Sequence, residues 1–437
     1  MKVPFKRFAT NCCLLFACIV SVSNAGSDVL DYYTMGVLPS IRGSIGNTLW
    51  VHHLPEKSGY HIAGPLAVGK DGTIYYEAGG HGWNSTEWNP IQIYAVNKSD
   101  GSLKWKSEPL MTWHKNGNTI LVGDNGNVYV ASGTKLYSLN PFNGSVNWKW
   151  EVPHELPDPN DSERNVNTYG ELGYMVLANS NDIIIKTMGS GSYYRAMYCI
   201  SSNTGSIKWY QFIPSNITHI SIGKNGMIYA FSSINGTPVL TSRSPDTGGL
   251  NWSIPIESTG AGDNIAFTKN GDLVLMTRKD GMNLVRINPA NQQFVWKKHI
   301  DAPRSDYKFI APNGNIYVNN WTGWYIYNSD NGDIINSDLH ISSQPFNYDA
   351  RNHIIGTIND NESIMHVTDN VGNELWKTNS GVDASSIIAS GNVIYFYALD
   401  KDGKDAIFAL RTDAGLVHAG WPRFSHDNRN TFNFNKW

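Results

Sequence analysis

The sequence of 437 residues predicts an all-β fold: a single β-propeller of eight four-stranded blades, closed by a strand from the N-terminal end. Three observations carry that expectation. A tight-turn motif followed by an alternating apolar run recurs along the chain. A Gly-x-x-x-Trp element follows most copies of it, with tryptophans 43, 61, 43 and 44 residues apart from Trp105 to Trp296. The composition suits strands and turns, with 41 Gly, 12% aromatics and only 16% charged residues. Helical solenoids run richer in Ala, Glu, Lys and Leu, and disordered chains are less aromatic and more charged.

The first 25 residues read as an export signal and the remainder, 26–437, as the propeller domain. Lys2, Lys6 and Arg7 precede an apolar stretch from Cys12 to Val22, and Ser23-Asn24-Ala25 offers the small residues of a cleavage site. A lipoprotein signal would instead use Cys18, but Phe16 is bulky where such signals carry a small residue. Beyond this segment no apolar run reaches the ~18 residues of a membrane span. Removing it leaves 31 basic against 37 acidic residues, a net charge of −6, which argues against a nucleic-acid partner. Cys199 is then the one cysteine left and reads as a buried structural thiol.

The turn motif reads Asp71-Gly72-Thr73-Ile74-Tyr75, Asn125-Gly126-Asn127-Val128-Tyr129, Asn225-Gly226-Met227-Ile228-Tyr229, Asn270-Gly271-Asp272-Leu273 and Asn313-Gly314-Asn315-Ile316-Tyr317. Degenerate copies start at Asn181, Asn352 and Ser390, which makes eight. Asn-Gly supplies the positive φ that a tight hairpin needs. The second element spans Gly101–Trp105, Gly144–Trp148, Gly205–Trp209, Gly248–Trp252 and Gly372–Trp376, with Gln292 replacing the glycine before Trp296. Gly332 has no tryptophan after it, and a Pro/Asp/Asn-rich insertion, Pro153 to Tyr169, lengthens the interval before Trp209.

Each unit of about 43 residues fits one blade, with its tryptophan docked between neighbouring blades. A solenoid is the alternative, but its repeats are usually shorter and need capping ends. The surplus copy Gly46–Trp50 can supply the outer strand of the last blade and so remove an open edge, a place for which Gly415–Trp421 competes.

The phrases Asn203-Thr204-Gly205-Ser206-Ile207-Lys208-Trp209 and Asp246-Thr247-Gly248-Gly249-Leu250-Asn251-Trp252 resemble the repeat of pyrroloquinoline-quinone-type propellers, over nearly the whole span from Gly46 to Phe434. Trp421-Pro422-Arg423-Phe424 with Asp427 is similar to end segments of that family. The resemblance implies architecture more than activity. Quinoprotein dehydrogenases join adjacent cysteines over the cofactor, whereas the adjacent pair here, Cys12-Cys13, lies in the export signal. No set of Glu, Asn and Asp matches the calcium ligands of that family, so no cofactor and no metal is expected. His52-His53 reads as an exposed pair beside the closing strand.

Chemistry is expected in the loops that gather on one face around the axis. Blade 1 contributes His81, Trp83 and Trp88, blade 2 Trp113 and His114, and blade 3 Tyr169, Glu171, Tyr193, Tyr194 and Arg195. Later blades add His219, Asp263, Arg304, Tyr307 and Tyr348. For any one aromatic, packing of a loop on its blade is the plainer reading; as a group they suit sugar rings, with arginine for an acidic group. A secreted or periplasmic protein that cleaves an acidic, uronate-containing polysaccharide by β-elimination would use Arg195 against the carboxylate and His114 or Tyr194 as base or acid. His81, Trp83, Trp113, Tyr169, His219, Arg304 and Tyr307 would then bind substrate. This is similar to the strategy of secreted propeller polysaccharide lyases such as ulvan lyases. Two rivals share the fold: a non-catalytic extracytoplasmic scaffold of the outer-membrane assembly type, and a glycan-binding lectin.

Overall fold

The computed structural model describes residues 47–55, 61–62, 65–80, 89–110, 120–158, 161–168, 170–188, 195–213, 220–257, 265–300, 308–319, 324–339, 347–348, 351, 353–358, 364–369, 373–378, 382–412, 433 and 435–436. Every regular element among them is a β-strand, and the strands form eight blades and one hairpin. Blade 1 splits its innermost strand into His61–Ile62 and Ala67–Val68, followed by Ile74–Gly80, Asn89–Val96 and Leu103–Lys106. Blade 2 runs Ile120–Val122, Val128–Ser132, Lys135–Leu139, Val146–Glu151, and blade 3 runs Glu171–Leu177, Ile183–Met188, Arg195–Ile200, Ile207–Ile213. Blade 4 comprises Ile220–Ile222, Ile228–Ile234, Thr237–Arg243 and Leu250–Pro255. Blade 5 comprises Ala266–Phe267, Leu273–Arg278, Met282–Asn288 and Gln293–Ile300. Blade 6 comprises Lys308–Ile310, Ile316–Asn319, Trp324–Tyr327 and Ile334–Leu339, and blade 7 Asn347–Tyr348, Ile354–Ile358, Ile364–Thr368 and Glu374–Thr378.

Blade 8 takes three strands from the C-terminal part, Val382–Ser390, Val393–Leu399 and Asp405–Arg411, and its outer strand from Thr48–His53. The pairing is antiparallel, with Val51 opposite Phe408 and His52 opposite Ile407. Arg411 N donates to Asn47 O at 2.9 Å and Leu54 N to Asp405 O at 3.0 Å, so the ladder continues past both strand ends. Gly415–Trp421 lies outside the described residues.

The turn motif joins the first and second strands of each blade. Gly72, Gly126, Gly226, Gly271 and Gly314 adopt φ between +79° and +94°, and Asn181 takes the same region at +66°. In four of these turns the Asp or Asn before the glycine caps the amide two positions on, as Asp71 Oδ1 accepts from Thr73 N at 2.9 Å and Asn313 Oδ1 from Asn315 N at 2.9 Å; at Gly271, Thr268 Oγ1 accepts from Asp272 N instead. In blades 1, 2 and 4 the tyrosine that ends the motif packs on the tryptophan of its own blade, as Tyr75 does on Trp105 at 5.7 Å and Tyr129 on Trp148 at 5.9 Å between ring centroids.

Where the next blade keeps its glycine among the described residues, the repeated tryptophan then reaches that blade. Its indole N–H donates to a carbonyl three residues before the next glycine: Trp50 to Lys98, Trp105 to Pro141, Trp148 to Ser202, Trp209 to Pro245 and Trp296 to Ser329, all at 2.8–3.0 Å. The ring lies flush on that glycine. A Cβ at Gly144, where φ is +73°, would stand 2.4 Å from Trp105 Cε3. The same clasp links blade 8 to blade 1 through Trp50 and Gly101. Trp376 Nε1 is buried without a partner among the described residues; the turn before Gly46, which the pattern assigns to it, lies outside them.

Apolar residues of facing blades fill the interfaces between them. The insertion forms a hairpin, Glu155–Asp158 with Asp161–Asn167, whose Leu156 joins the core between blades 2 and 3 and whose Val166, opposite it, is buried. His52 departs from the sequence expectation of an exposed pair. Its Nδ1 donates to Gly101 O at 2.8 Å, its Nε2 accepts from the Tyr76 hydroxyl at 2.9 Å, and burial holds its pKa below the usual histidine value. His53 is exposed, bonded to Asp400 at 2.9 Å.

Candidate functional site

Two faces follow from the strand order. One carries the turns between first and second strands; the other carries the loops between second and third strands and the connections between blades. Of the residues expected to act on that loop face, Arg195 and Glu171 fall among those described with their side chains. His81, Trp83, Trp88, Trp113, His114, Tyr169, Tyr193, Tyr194, His219, Asp263, Arg304 and Tyr307 lie outside the described residues. Tyr348 is placed in its strand without its side chain.

Arg195 opens the third strand of blade 3, half-buried, directly after the loop. Its neighbours follow from register. Lys186 pairs with Met197, and Arg195 lies two residues before Met197, so the two cations share one sheet face as diagonal neighbours. Ile184 on that face belongs to the core between blades 3 and 4, which places Lys186 in the same interface. Lys186 is 6% exposed, and burial, then the nearby Arg195 charge, push its pKa down to about 8. Ser232 of blade 4 follows Ile228 and Ala230 of that same core; it is 5% exposed and its hydroxyl has no partner among the described residues. The interface of blades 3 and 4 thus ends, on the loop face, in two cations and a hydroxyl. Sequence reasoning missed Lys186, because a lysine after Ile183-Ile184-Ile185 reads as the end of an apolar strand. Its period-2 place beside Ile184 was the available signal.

Among the described residues no group of three or more His, Cys, Asp or Glu is placed to hold a metal ion. A quinone site of the dehydrogenase kind does not fit the chain either, since Cys199 is buried and has no adjacent cysteine to pair with. Burial pushes the Cys199 thiol up to about 12, which leaves it protonated and inert at neutral pH.

A second feature lies on the outer rim. The residue two before each repeated tryptophan is an exposed apolar side chain in five blades: Leu103, Val146, Ile207, Leu250 and Phe294. Recurrence makes that belt architectural. Blades 5 and 6 exceed it: Ile334 holds the belt place of blade 6, and Val295 and Ile335, one residue further on than Phe294 and Ile334, are exposed as well, each of the four at 45–56%. Lys298 Nζ bonds Asp333 Oδ1 at 2.9 Å, and Trp296 rests on Gly332, so these two outer strands are neighbours. An apolar patch on adjacent outer edges suits a protein partner better than a sugar.

The family model described as outer membrane protein assembly factor BamB matches residues 90–178 and 178–378. Among solved structures the chain is similar to BamB from Moraxella catarrhalis, with 11% identity, a TM-score of 0.55, and coverage of 84% of this chain and 100% of that one. It is equally similar to the quinohemoprotein alcohol dehydrogenase from Comamonas testosteroni, at 11% identity and TM-score 0.55, covering 85% of this chain and 77% of that one. The Dos1 propeller gives 10% identity and TM-score 0.53 over 85% and 98% of the two chains. At such identities these likenesses show the fold alone. No curated protein matches the chain in sequence.

Proposed function

The chain belongs to the family of the outer membrane protein assembly factor BamB, and from that premise we propose that it is an extracytoplasmic, protein-binding propeller, a scaffold in outer-membrane protein assembly. The family match carries the reading, and the export signal read in residues 1–25 agrees with it. The apolar patch Phe294, Val295, Ile334 and Ile335 supplies a surface on which a partner could dock. The lyase reading drops behind. The family match lends no support to a lyase likeness or an acidic-polysaccharide partner.

The test is direct binding between the purified chain and the purified outer-membrane assembly complex of the same cell. A Phe294→Glu, Ile335→Glu double variant with an unchanged thermal transition should bind at least tenfold more weakly. Absence of binding by the unaltered chain, together with release of unsaturated uronates from an acidic polysaccharide, would reinstate the carbohydrate reading.

A further inference from the structure

The end of the chain sits where no repeat predicts it. Asn433 forms a parallel bridge with Ile222, the last residue of the innermost strand of blade 4. That strand gives one edge to Ile228–Ile234. The bridge therefore occupies the edge that faces the propeller axis, on the turn face.

The contacts there are specific. Asn433 is fully buried, and its amide is fully used. Its Nδ2 donates to Leu177 O at 2.5 Å and Asn179 Oδ1 at 3.0 Å, while its Oδ1 accepts from Asn435 N at 2.8 Å. Asn435 Nδ2 donates to Asn179 Oδ1 at 3.2 Å and Gly223 O at 3.1 Å. Lys436 Nζ donates to Asn179 O at 3.2 Å and pairs with Asp124, its own side chain only 10% exposed. One short segment thus joins the turns of blades 2, 3 and 4. Side-chain amides reading backbone carbonyls, beside a strand edge and a carboxylate, are the elements of extended-peptide recognition.

We propose that Asp124, Asn179, the Leu177 and Gly223 carbonyls and the Ile222 edge form a peptide-binding cradle at the axial opening. Its ligand is an extended segment of the pattern Asn-x-Asn-Lys, which the chain's own C-terminal end supplies in cis. Among the described residues the bound segment is held by side-chain hydrogen bonds and one ion pair, and a terminal segment held in this way opens at lower cost than the whole fold. Covalent connection keeps it at high effective concentration, and a free peptide competes only when that advantage is removed.

The experiment uses the full chain with Asn433→Ala, which releases the cis segment, and a labelled synthetic peptide of residues 428–437. The variant should bind this peptide at least tenfold more tightly than the unaltered chain does. The same peptide carrying Asn433→Ala, or addition of Asp124→Ala to the chain, should weaken binding at least tenfold. A folded variant that binds no peptide, or binds the altered peptide equally well, overturns the proposal. Should Asn433→Ala fail to fold, Lys436→Ala serves instead, since it keeps Asn433. Amide exchange in the fragment holding residues 433–436 should then speed up at least tenfold, and an unchanged rate overturns the proposal.

Discussion

At the scale of single residues, stability rests on the clasp between a tryptophan and the next blade's glycine. Gly144→Ala places a side chain where φ is +73° and the Trp105 ring leaves 2.4 Å. The left-handed backbone alone costs roughly 1–2 kcal/mol and the overpacking adds to it, so a loss of about 2–4 kcal/mol is expected in urea unfolding. A loss under about 1 kcal/mol would mean the ring moves away freely. Gln292 provides the converse. It occupies the glycine place of blade 5 at φ +63°, so Gln292→Gly relieves strain of roughly 1–2 kcal/mol against an entropy cost of about 0.4–1 kcal/mol. A net gain of about 0.5–1 kcal/mol should appear as a raised melting temperature; a lowered one refutes the strain argument. Lys186 gives a residue-level pH signature. Its folded pKa, pushed down to about 8 from 10.5, means the unfolded chain holds more protons between those values. Stability should rise with pH across that window and be lowest, from this group, below it. A Lys186→Met chain should lack that rise when the two pH profiles are overlaid. Lys186 also shows why the site was less legible than the fold: one charged residue at a core-facing register is invisible in an apolar run, whereas repeated Gly and Trp announce themselves.

At the scale of elements, the strand Thr48–His53 bonds a segment some 350 residues away, closing blade 8 and seating Trp50 against Tyr395 at 5.7 Å and against Gly101. Without it, Asp405–Arg411 would present a free ladder edge and the core around Trp50, Leu54 and Tyr395 would open. Trp50→Ala alone should cost roughly 3–5 kcal/mol. A chain lacking residues 46–53 should unfold at markedly lower urea and aggregate through the bared edge. An unchanged midpoint for that chain would show that the strand is decorative. The elements most legible in the sequence were those with a backbone requirement, since a positive φ at Gly126 or Gly226 leaves a fixed residue type behind. The hairpin Glu155–Asp158 and Asp161–Asn167 was read only as an insertion, because Leu156 and Val166 are the only large apolar side chains it buries, too few to show an alternating apolar pattern in the sequence. The resemblance to the repeat family extends only to Phe434 and assigns no contact to Asn433–Lys436. That segment is held by amide side chains, which leave no periodic trace.

At the scale of the whole molecule, repetition concentrates one kind of group in the interior. Burial raises the pKa of Tyr198 and Tyr395 to about 12, and those of Tyr75, Tyr76, Tyr129, Tyr137, Tyr229 and Tyr317 are raised as well, all chiefly by loss of hydration. Four of them, Tyr75, Tyr129, Tyr229 and Tyr317, hold the equivalent place after the first turn of their blades, so the same environment acts on these together. In the unfolded chain they ionise near their ordinary value of 10. Above it the folded state therefore holds more protons than the unfolded one, and stability falls as pH rises. Their contribution is fully present below pH 10 and is lost progressively toward and beyond 12. Each phenol that remains protonated gives a slope of about 1.4 kcal/mol per pH unit, so a few acting together outweigh a typical total stability of 5–15 kcal/mol. The single rise from Lys186 is over once its ordinary value of 10.5 is passed, and it cannot offset them. Unfolding should therefore be cooperative and steep in alkali, with tyrosinate absorbance and loss of near-ultraviolet dichroism appearing at the same pH. If the tyrosines instead ionised near pH 10 while the dichroism stayed native, the blade interfaces would be open to water, and the close packing of Tyr75 on Trp105 and of Tyr129 on Trp148 would be wrong.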